Sequence, residues 1–207
     1  MKKKNVFNNK VEQYEEWFKI NKNLLNTELE TIRQMLPASG EGIEIGVGTG
    51  IFASSLGIKH GAEPSEKMSA KAAKKGIHVI NAFAEELPIA DESYQFALMV
   101  TVDCFLEDIT KAFKEVRRIL AKDGYFIIAF IDNKTPLGMI YEQHKHSDNF
   151  YKYANFHSSE EIIMLLEKAG FEVQEKKQTM YTLENKVQEI RDGVGEGVFA
   201  VIKAKKC

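Results

Sequence analysis

The sequence predicts an α/β protein, a three-layer sandwich built around a mostly parallel sheet. Three observations predict it. Between residues 41 and 131, short β-branched apolar runs alternate with helical periodicities five times, the pattern of strands joined by crossover helices. The first run passes directly into a glycine-rich turn, Gly46-Val47-Gly48-Thr49-Gly50. Two more apolar runs close the chain, and the loop between them is too short to rebuild a helix, so they pair antiparallel. The expected architecture is a doubly wound sheet of seven strands, mostly parallel, with an antiparallel last strand.

The elements follow in order. Residues 6–36 are helical by period: Val11, Tyr14 and Phe18 share a face with Trp17 beside them, and Leu25, Leu29, Ile32 and Leu36 form a second set. Thr27 with Glu30 has the spacing of a capping box, which places a break near Asn26. Pro37 closes the region. Two helices ahead of the first strand exceed what sheet cover requires, so residues 1–36 are read as an N-terminal helical cap. Strands are expected over 41–46, 58–62, 78–82, 96–101 and 125–131. The helices between them are expected over 50–56, from Ser65 through Lys75 with Gly76 as its stop, and over 108–120, ended by Lys122-Asp123-Gly124. Residues 133–157 form a long aromatic-rich insertion, a lid in which Thr135-Pro136 marks a helix start. Ser158 with Glu161 is a second capping box, opening a helix that ends at Ala169-Gly170. Phe171–Thr182 and Val198–Lys205 are the final strands, with a turn over 192–197.

At 207 residues, with 44% hydrophobic and 28% charged residues, the chain reads as a single globular domain, 1–207. A net charge of −2 gives no basic field, so neither nucleic acid nor an anionic membrane is an expected partner. The Lys2-Lys3-Lys4 run reads as a solvated tail. No apolar run approaches the ~18 residues that span a bilayer, and no apolar segment follows the terminal lysines as in a secretory signal. Cys104 and Cys207 have neither metal spacing nor the look of a disulfide framework, so a reduced, cytoplasmic protein is expected. Nothing in the sequence sets an oligomeric state.

The glycine turn is the candidate ligand site. Glycine lets a ligand lie against the main chain, and a strand entering a helix through such a turn leaves N–H groups directed above the sheet edge. Glu63, ending the second strand, is its strongest companion. A carboxylate there can accept hydrogen bonds from both hydroxyls of a ribose, which argues for an adenosine-containing ligand. Two registers compete. Gly48-Thr49-Gly50-Ile51-Phe52-Ala53 formally matches a dinucleotide pattern but starts beyond the strand end. The register from Glu44 to Gly50, acidic-x-Gly-x-Gly-x-Gly, starts where the strand stops.

Four segments together resemble the class I S-adenosylmethionine-dependent methyltransferases of the small-molecule, methyltransferase type 11-like group. They are Glu44 to Gly50, Glu63 to Met68, Ala84-Glu85-Glu86-Leu87-Pro88-Ile89, and Phe113 to Leu120 with Lys122-Asp123-Gly124-Tyr125. The resemblance implies a Rossmann-like fold and S-adenosylmethionine as cofactor. It implies that Gly46, Gly48 and Gly50 form the cofactor loop, with Glu44 beneath the methionine moiety near its amino group. Glu63, with Pro64, would take the ribose hydroxyls; Ala84 and Glu85 would border the adenine; Thr101 and Val102 would face the sulfonium. Tyr14 is added as a lid residue over the cofactor. The family often has an acidic residue before the alanine of the adenine loop, where this chain has Phe83, so the adenine-amine contact shifts to Glu85. At the fourth strand's start the family commonly reads Phe-Asp, here Tyr94-Gln95, a structural position.

The implied reaction is transfer of a methyl group to an O, N or S atom of a small-molecule acceptor. The sulfonium already activates the methyl group, so the protein mainly positions a nucleophile in line and excludes water. A dedicated base is optional, and no catalytic residue is assigned. Motifs typical of base-methylating enzymes are absent. Substrate contacts are expected from Trp17 and from Tyr141, His144, Tyr151 and Tyr153 of the insertion, each of which also suits a purely structural role. His144 and His146 do not share a helix face and are not a metal pair. Asp103 with Asp132-Asn133 sits where catechol-type methyltransferases hold magnesium, but solvated loop residues explain these positions better, and no metal is expected. Cys104 reads as a small buried side chain rather than a methyl relay. A cofactor-binding protein without turnover and an NAD(P)-dependent oxidoreductase are the alternative readings.

Overall fold

The computed structural model describes Asn8, residues 10–148 and residues 150–207. The Lys2-Lys3-Lys4 run and the first residues of the predicted N-terminal helix lie outside the described residues.

The sheet has eight strands: β1 Gly42–Ile45, β2 His60–Ala62, β3 His78–Ile80, β4 Tyr94–Val100, β5 Leu120–Ile131, β6 Phe171–Thr179, β7 Arg191–Asp192 and β8 Phe199–Lys206. Their order is β3-β2-β1-β4-β5-β8-β6-β7. β1 to β5 pair in parallel. β8 is antiparallel to both β5 and β6, so the closing pair is antiparallel as the short connection required. The eighth strand is the departure. β6 stops at Thr179 rather than Thr182, because Met180 takes a left-handed φ of 61° and turns the chain out of the sheet. Residues 180–198 then leave the sheet, pairing with it as a strand at the two-residue edge strand β7, while Gln178 and Thr179 of β6 also bond Glu189, Glu196 and Gly197.

Among the described residues seven α-helices cover it: α1 Val11–Ile20, α2 Lys22–Met35, α3 Ile51–Leu56, α4 Glu66–Lys74, α5 Ile109–Ile119, α6 Pro136–His144 and α7 Ser159–Lys168. Strand alternation feeds two cores. Phe126, Ile128 and Phe130 of β5 pack with Phe113 and Val116 of α5 and Ile162 and Leu166 of α7. On the other face Ile127, Ala129 and Ile131 pack with Leu24, Ile32 and Met35 of α2 and Phe52 of α3. The result is the predicted three-layer sandwich.

Two predicted boundaries are corrected. The break between the first helices falls at Asn21, not near Asn26. Asn21 caps the end of α1 by donating its side-chain and backbone N–H groups to the Trp17 carbonyl. Thr27 forms no capping box; it lies inside α2, where its hydroxyl donates to the Asn23 carbonyl at 2.9 Å and accepts from the Gln188 N–H. The second correction concerns α5, which ends at Ile119 while strand pairing already begins at Leu120. Tyr94 faces Leu120 and Phe96 faces Tyr125, so Lys122-Asp123-Gly124 is a bulge within β5 rather than the end of the helix.

The topology places the site. From β1 the chain steps outward through β2 to β3, then returns to β4 on the other side of β1. The crevice at the C-terminal ends of β1 and β4 lies at this reversal, where open α/β sheets hold their ligands. Beyond β5 the insertion forms α6, opened by Thr135 as predicted, whose hydroxyl accepts the Gly138 N–H at 3.1 Å.

The second capping box is complete: Ser158 Oγ accepts the Glu161 N–H at 3.2 Å, and the Glu161 carboxylate accepts the Ser158 N–H at 2.8 Å. Ser158→Ala is expected to lower unfolding free energy by about 0.5–2 kcal/mol in a chemical denaturation experiment.

Candidate functional site

β1 ends against Ala62 of β2, whose carbonyl accepts the N–H groups of both Gly46 and Val47, at 2.8 and 3.0 Å. This double bond to one carbonyl turns the chain sharply. Gly46 has φ +73°, and a Cβ there would meet Val102 Cγ2 at 2.4 Å, so both backbone angle and space demand glycine. At Gly48, φ +53°, the surroundings are open: the nearest group to an added Cβ is Tyr14 Oη at 3.9 Å. Glu63 fixes this bend. One carboxylate oxygen accepts the Gly48 N–H at 3.0 Å and the other accepts the Ser65 N–H at 2.8 Å. Glu63 is buried yet lines the adjoining cavity.

That cavity has a volume of about 700 Å³. It brings together Gly46, Gly48, Glu63, Pro64, Ala84, Glu85, Thr101, Val102 and Tyr14 of the predicted cofactor set. It also brings in Trp17, Tyr141, His144 and Tyr151 of the predicted acceptor set. Three predicted residues do not line it. Glu44 lies buried under the bend, accepting the Ala53 N–H through one oxygen while Oε2 has no partner among the described residues. Gly50 faces α4, where an added Cβ would strike Ile77 Cδ1 at 2.5 Å, so it is a packing position. Tyr153 points outward, 44% exposed, with Lys152 over its ring. Glu85 lines the cavity, but one of its oxygens is engaged by the N–H groups of Glu107 and Asp108. Thr101 holds a left-handed φ of 51° at the end of β4, a strained geometry for a β-branched residue at the cavity wall.

The N-terminal helices and the insertion meet above the cavity. Tyr14 packs edge-on against Phe18 at 5.0 Å and Phe150 at 6.0 Å, and Phe18 reaches Phe52 of α3 at 5.7 Å. From the insertion, Tyr151 stacks on Phe105 at 6.1 Å and contacts Tyr141 and Phe156. Glu12 and Glu15 of α1 pair with Lys71 of α4, and Glu15 also with Lys75.

The three candidate metal ligands are not the solvated loop residues expected: Asp103 and Asp132 are buried, and Asp103 Oδ1 and Asn133 Oδ1 have no partner among the described residues. Asp103 pairs with His157 Nδ1 at 2.9 Å, Asp132 accepts the Lys134 N–H and the Ser159 hydroxyl, and Asn133 donates to the Phe156 carbonyl. Among the described residues no group of three or more His, Cys, Asp or Glu is arranged to hold a metal.

Sequence reasoning missed Glu28. It sits on α2 one helical turn from Leu24 and from Ile32, on the apolar stripe, and lines the cavity at 7% exposure. A charged residue on that stripe was the signal that could have found it. Burial, with no offsetting partner, pushes its carboxyl up to about 8. Burial likewise holds the Glu44 carboxyl well above its ordinary range, the Ala53 N–H opposing and the Glu63 charge adding to the shift. Burial and the Glu44, Glu28, Glu63 and Glu15 charges also raise the Tyr14 phenol.

A buried carboxyl raised in the folded state binds a proton that the unfolded chain has released. Stability from Glu28 is therefore complete below about 4.5 and is lost as pH rises through about 8. Glu28→Gln is expected to remove this part of the decline, at most about 1.4 kcal/mol per pH unit, in denaturation curves recorded across that range.

The chain matches the Methyltransferase domain family over residues 43–128. It is 41% identical over 204 residues to an uncharacterized protein of Methanocaldococcus jannaschii, covering 98% of this chain and 99% of that one. An uncharacterized protein of Mycobacterium tuberculosis is 30% identical, over 92% of this chain and 70% of its own length. Among solved structures, a SAM-dependent methyltransferase of Thermotoga maritima, a possible histamine N-methyltransferase, is 44% identical. It superimposes with a TM-score of 0.95 over 98% of this chain and 99% of that one. Sequence and fold agree with the glycine bend and its carboxylate: the chain belongs to the class I S-adenosylmethionine-dependent methyltransferases.

Proposed function

We propose that this enzyme transfers the methyl group of S-adenosylmethionine to an O, N or S atom of a small-molecule acceptor, by in-line displacement that depends on positioning. The observation that carries the reading is one continuous cavity running from the glycine bend to an aromatic roof. Its residues fit the cofactor. The open space at Gly48 admits a ligand against the main chain. The Glu63 carboxylate at the cavity wall suits two ribose hydroxyls, with Pro64 beside it. Glu44, with an unpartnered buried oxygen below the bend, suits the amino group of the methionine moiety. Ala84 and Glu85 border the adenine end, while Thr101 and Val102 stand at the junction with the acceptor half. Gly50 serves the same bend through packing.

When bound, the cofactor supplies an electrophilic methyl group on a sulfonium. The chain's part is to place the acceptor nucleophile in line with it and to keep water away. In this reading the whole chain is one methyltransferase domain, with residues 1–36 as cap and 133–157 as lid. Trp17 from the cap and Tyr141, His144 and Tyr151 from the lid then form the acceptor chamber, Tyr14 from the cap closes over the cofactor, and Tyr153 belongs to the lid's outer surface. A volume of about 700 Å³ lies within the range of small-ligand sites. The net charge of −2 gives no support for nucleic acid as substrate, and no helix among the described residues is long and apolar enough to cross a membrane. Both cysteines are free thiols, as suits the cytoplasmic setting we propose.

The reading is tested by calorimetric titration with S-adenosylhomocysteine and, for the dinucleotide alternative, with NAD(H), followed by a metabolite screen for S-adenosylhomocysteine release. Micromolar binding of the first ligand only, and release with at least one acceptor, are the expected results. Glu63→Ala should weaken S-adenosylhomocysteine binding by about 1–3 kcal/mol, the usual cost of leaving buried hydrogen-bonding groups unmatched. Unchanged affinity would remove the ribose assignment. Gly48→Ala puts a methyl group into open cavity space but at a left-handed φ of +53°, so backbone strain should lower stability by about 1–2 kcal/mol, while cofactor affinity drops at least about tenfold, roughly 1.4 kcal/mol.

A further inference from the structure

Resting on the methyltransferase reading above, we infer that the acceptor is a small organic cation, an amine, and that Glu28 is the residue that anchors its positive charge. Four observations carry this.

First, Glu28 is 7% exposed and lines the cavity, yet has no hydrogen-bond or ion-pair partner among the described residues. Neighbouring buried carboxylates behave differently: Glu63 receives two backbone N–H groups, and Asp103 has His157. A carboxylate that burial alone acts on is costly to keep unless something outside the chain pairs with it.

Second, the cavity wall that Glu28 shares is rich in rings: Tyr14, Tyr141 and Tyr151 line it from α1, α6 and the insertion, and burial together with the Glu28 charge raises each of their phenols. Ring faces carry negative potential and attract a cation, and the attraction grows when water is excluded.

Third, no cation among the described residues takes the role. Lys145 lines the cavity, but its ammonium is held by Glu142 at 2.6 Å and by the Ala154 carbonyl at 3.1 Å. An ammonium entering beside Glu28 draws its carboxyl into the charged form, whereas an anionic acceptor would find no uncommitted cation among the described lining residues.

Fourth, Glu28 is held on a rigid element. Leu24, Ile32 and Met35 of the same helix are buried in the sheet's core, so the carboxylate is fixed relative to the glycine bend. A cation anchored there has a set distance from the transferred methyl group, which is the requirement for in-line attack.

The test uses the full chain saturated with S-adenosylhomocysteine and titrated calorimetrically with amines and neutral counterparts of the same shape. The pairs are phenethylamine with phenethyl alcohol and butylamine with butanol; phenylacetate is the anionic control. At least one amine should bind at least about tenfold more tightly than its alcohol, and phenylacetate should not bind. Glu28→Gln should abolish the amine preference while S-adenosylhomocysteine affinity stays within about twofold. The comparison in the wild type stands even if that variant folds poorly. Alcohols binding as well as amines, no amine binding at millimolar concentration, binding of phenylacetate, or a preference that survives in a folded Glu28→Gln would each overturn the inference. Failure of S-adenosylhomocysteine itself to bind the wild type would instead overturn the methyltransferase reading beneath it, and the inference with it.

Discussion

The Glu63 carboxylate is the contact on which the site's geometry rests. It joins the Gly48 N–H of the bend after β1 to the Ser65 N–H at the start of α4. A buried carboxylate without partners costs several kcal/mol, so both bonds matter to stability as well as to shape. The N-terminus of α4 adds the favourable end of a helix dipole. With the bend held from this side, Gly46 can be pressed against Val102 on the other, and the surface at Gly48 is left clear. One side chain thus sets the floor of the cavity and also lines it.

Buried carboxyls at Glu28, Glu44 and Asp103 are all raised by loss of water. They differ in what offsets that loss. Asp103 has His157, and Glu44 has one backbone N–H, but for Glu28 the structure supplies nothing. Two of these groups support the fold around them. The third lowers stability at neutral pH for no structural return, which is how binding groups differ from scaffolding groups.

What could be read from the sequence was encoded locally. The glycine bend, the Ser158–Glu161 capping box, the Thr135 helix start and the apolar face of α5 each depend on residues a few positions apart, and all formed as expected. Thr27 carried the same local signature as Ser158 and failed. Its hydroxyl is drawn back to Asn23 inside the helix and forward to Gln188, a partner far away in sequence. The loop after β6 is equally non-local: Asn185 bonds Asn23 and Ile20 of the N-terminal helices, which pulls residues 180–190 off the sheet. Within the site, Gly50 looked like its neighbours in the motif, but its role is set by Ile77 and Ala72, which a linear pattern does not reveal. Glu28 was in principle legible as a charge on an apolar stripe, and only the cavity beside it separates a binding group from a boundary residue.

The cavity's floor and roof are held by forces of different strength. The floor consists of strand pairing, backbone hydrogen bonds and a doubly bonded buried carboxylate. The roof consists of ring contacts such as Tyr14–Phe150, worth about 0.5–1.5 kcal/mol each, and of exposed ion pairs, each worth about 0–1 kcal/mol. Roof residues can therefore be exchanged or shifted at little cost to the fold, whereas floor residues cannot. Glu28 faces the roof's rings but belongs mechanically to the floor, since α2 is packed into the sheet along its length. Its position is a fixed condition on whatever the cavity holds, and its carboxyl becomes charged most readily when a cation pairs with it, while the shape around it is adjustable. A cavity built this way selects first by charge and only then by outline.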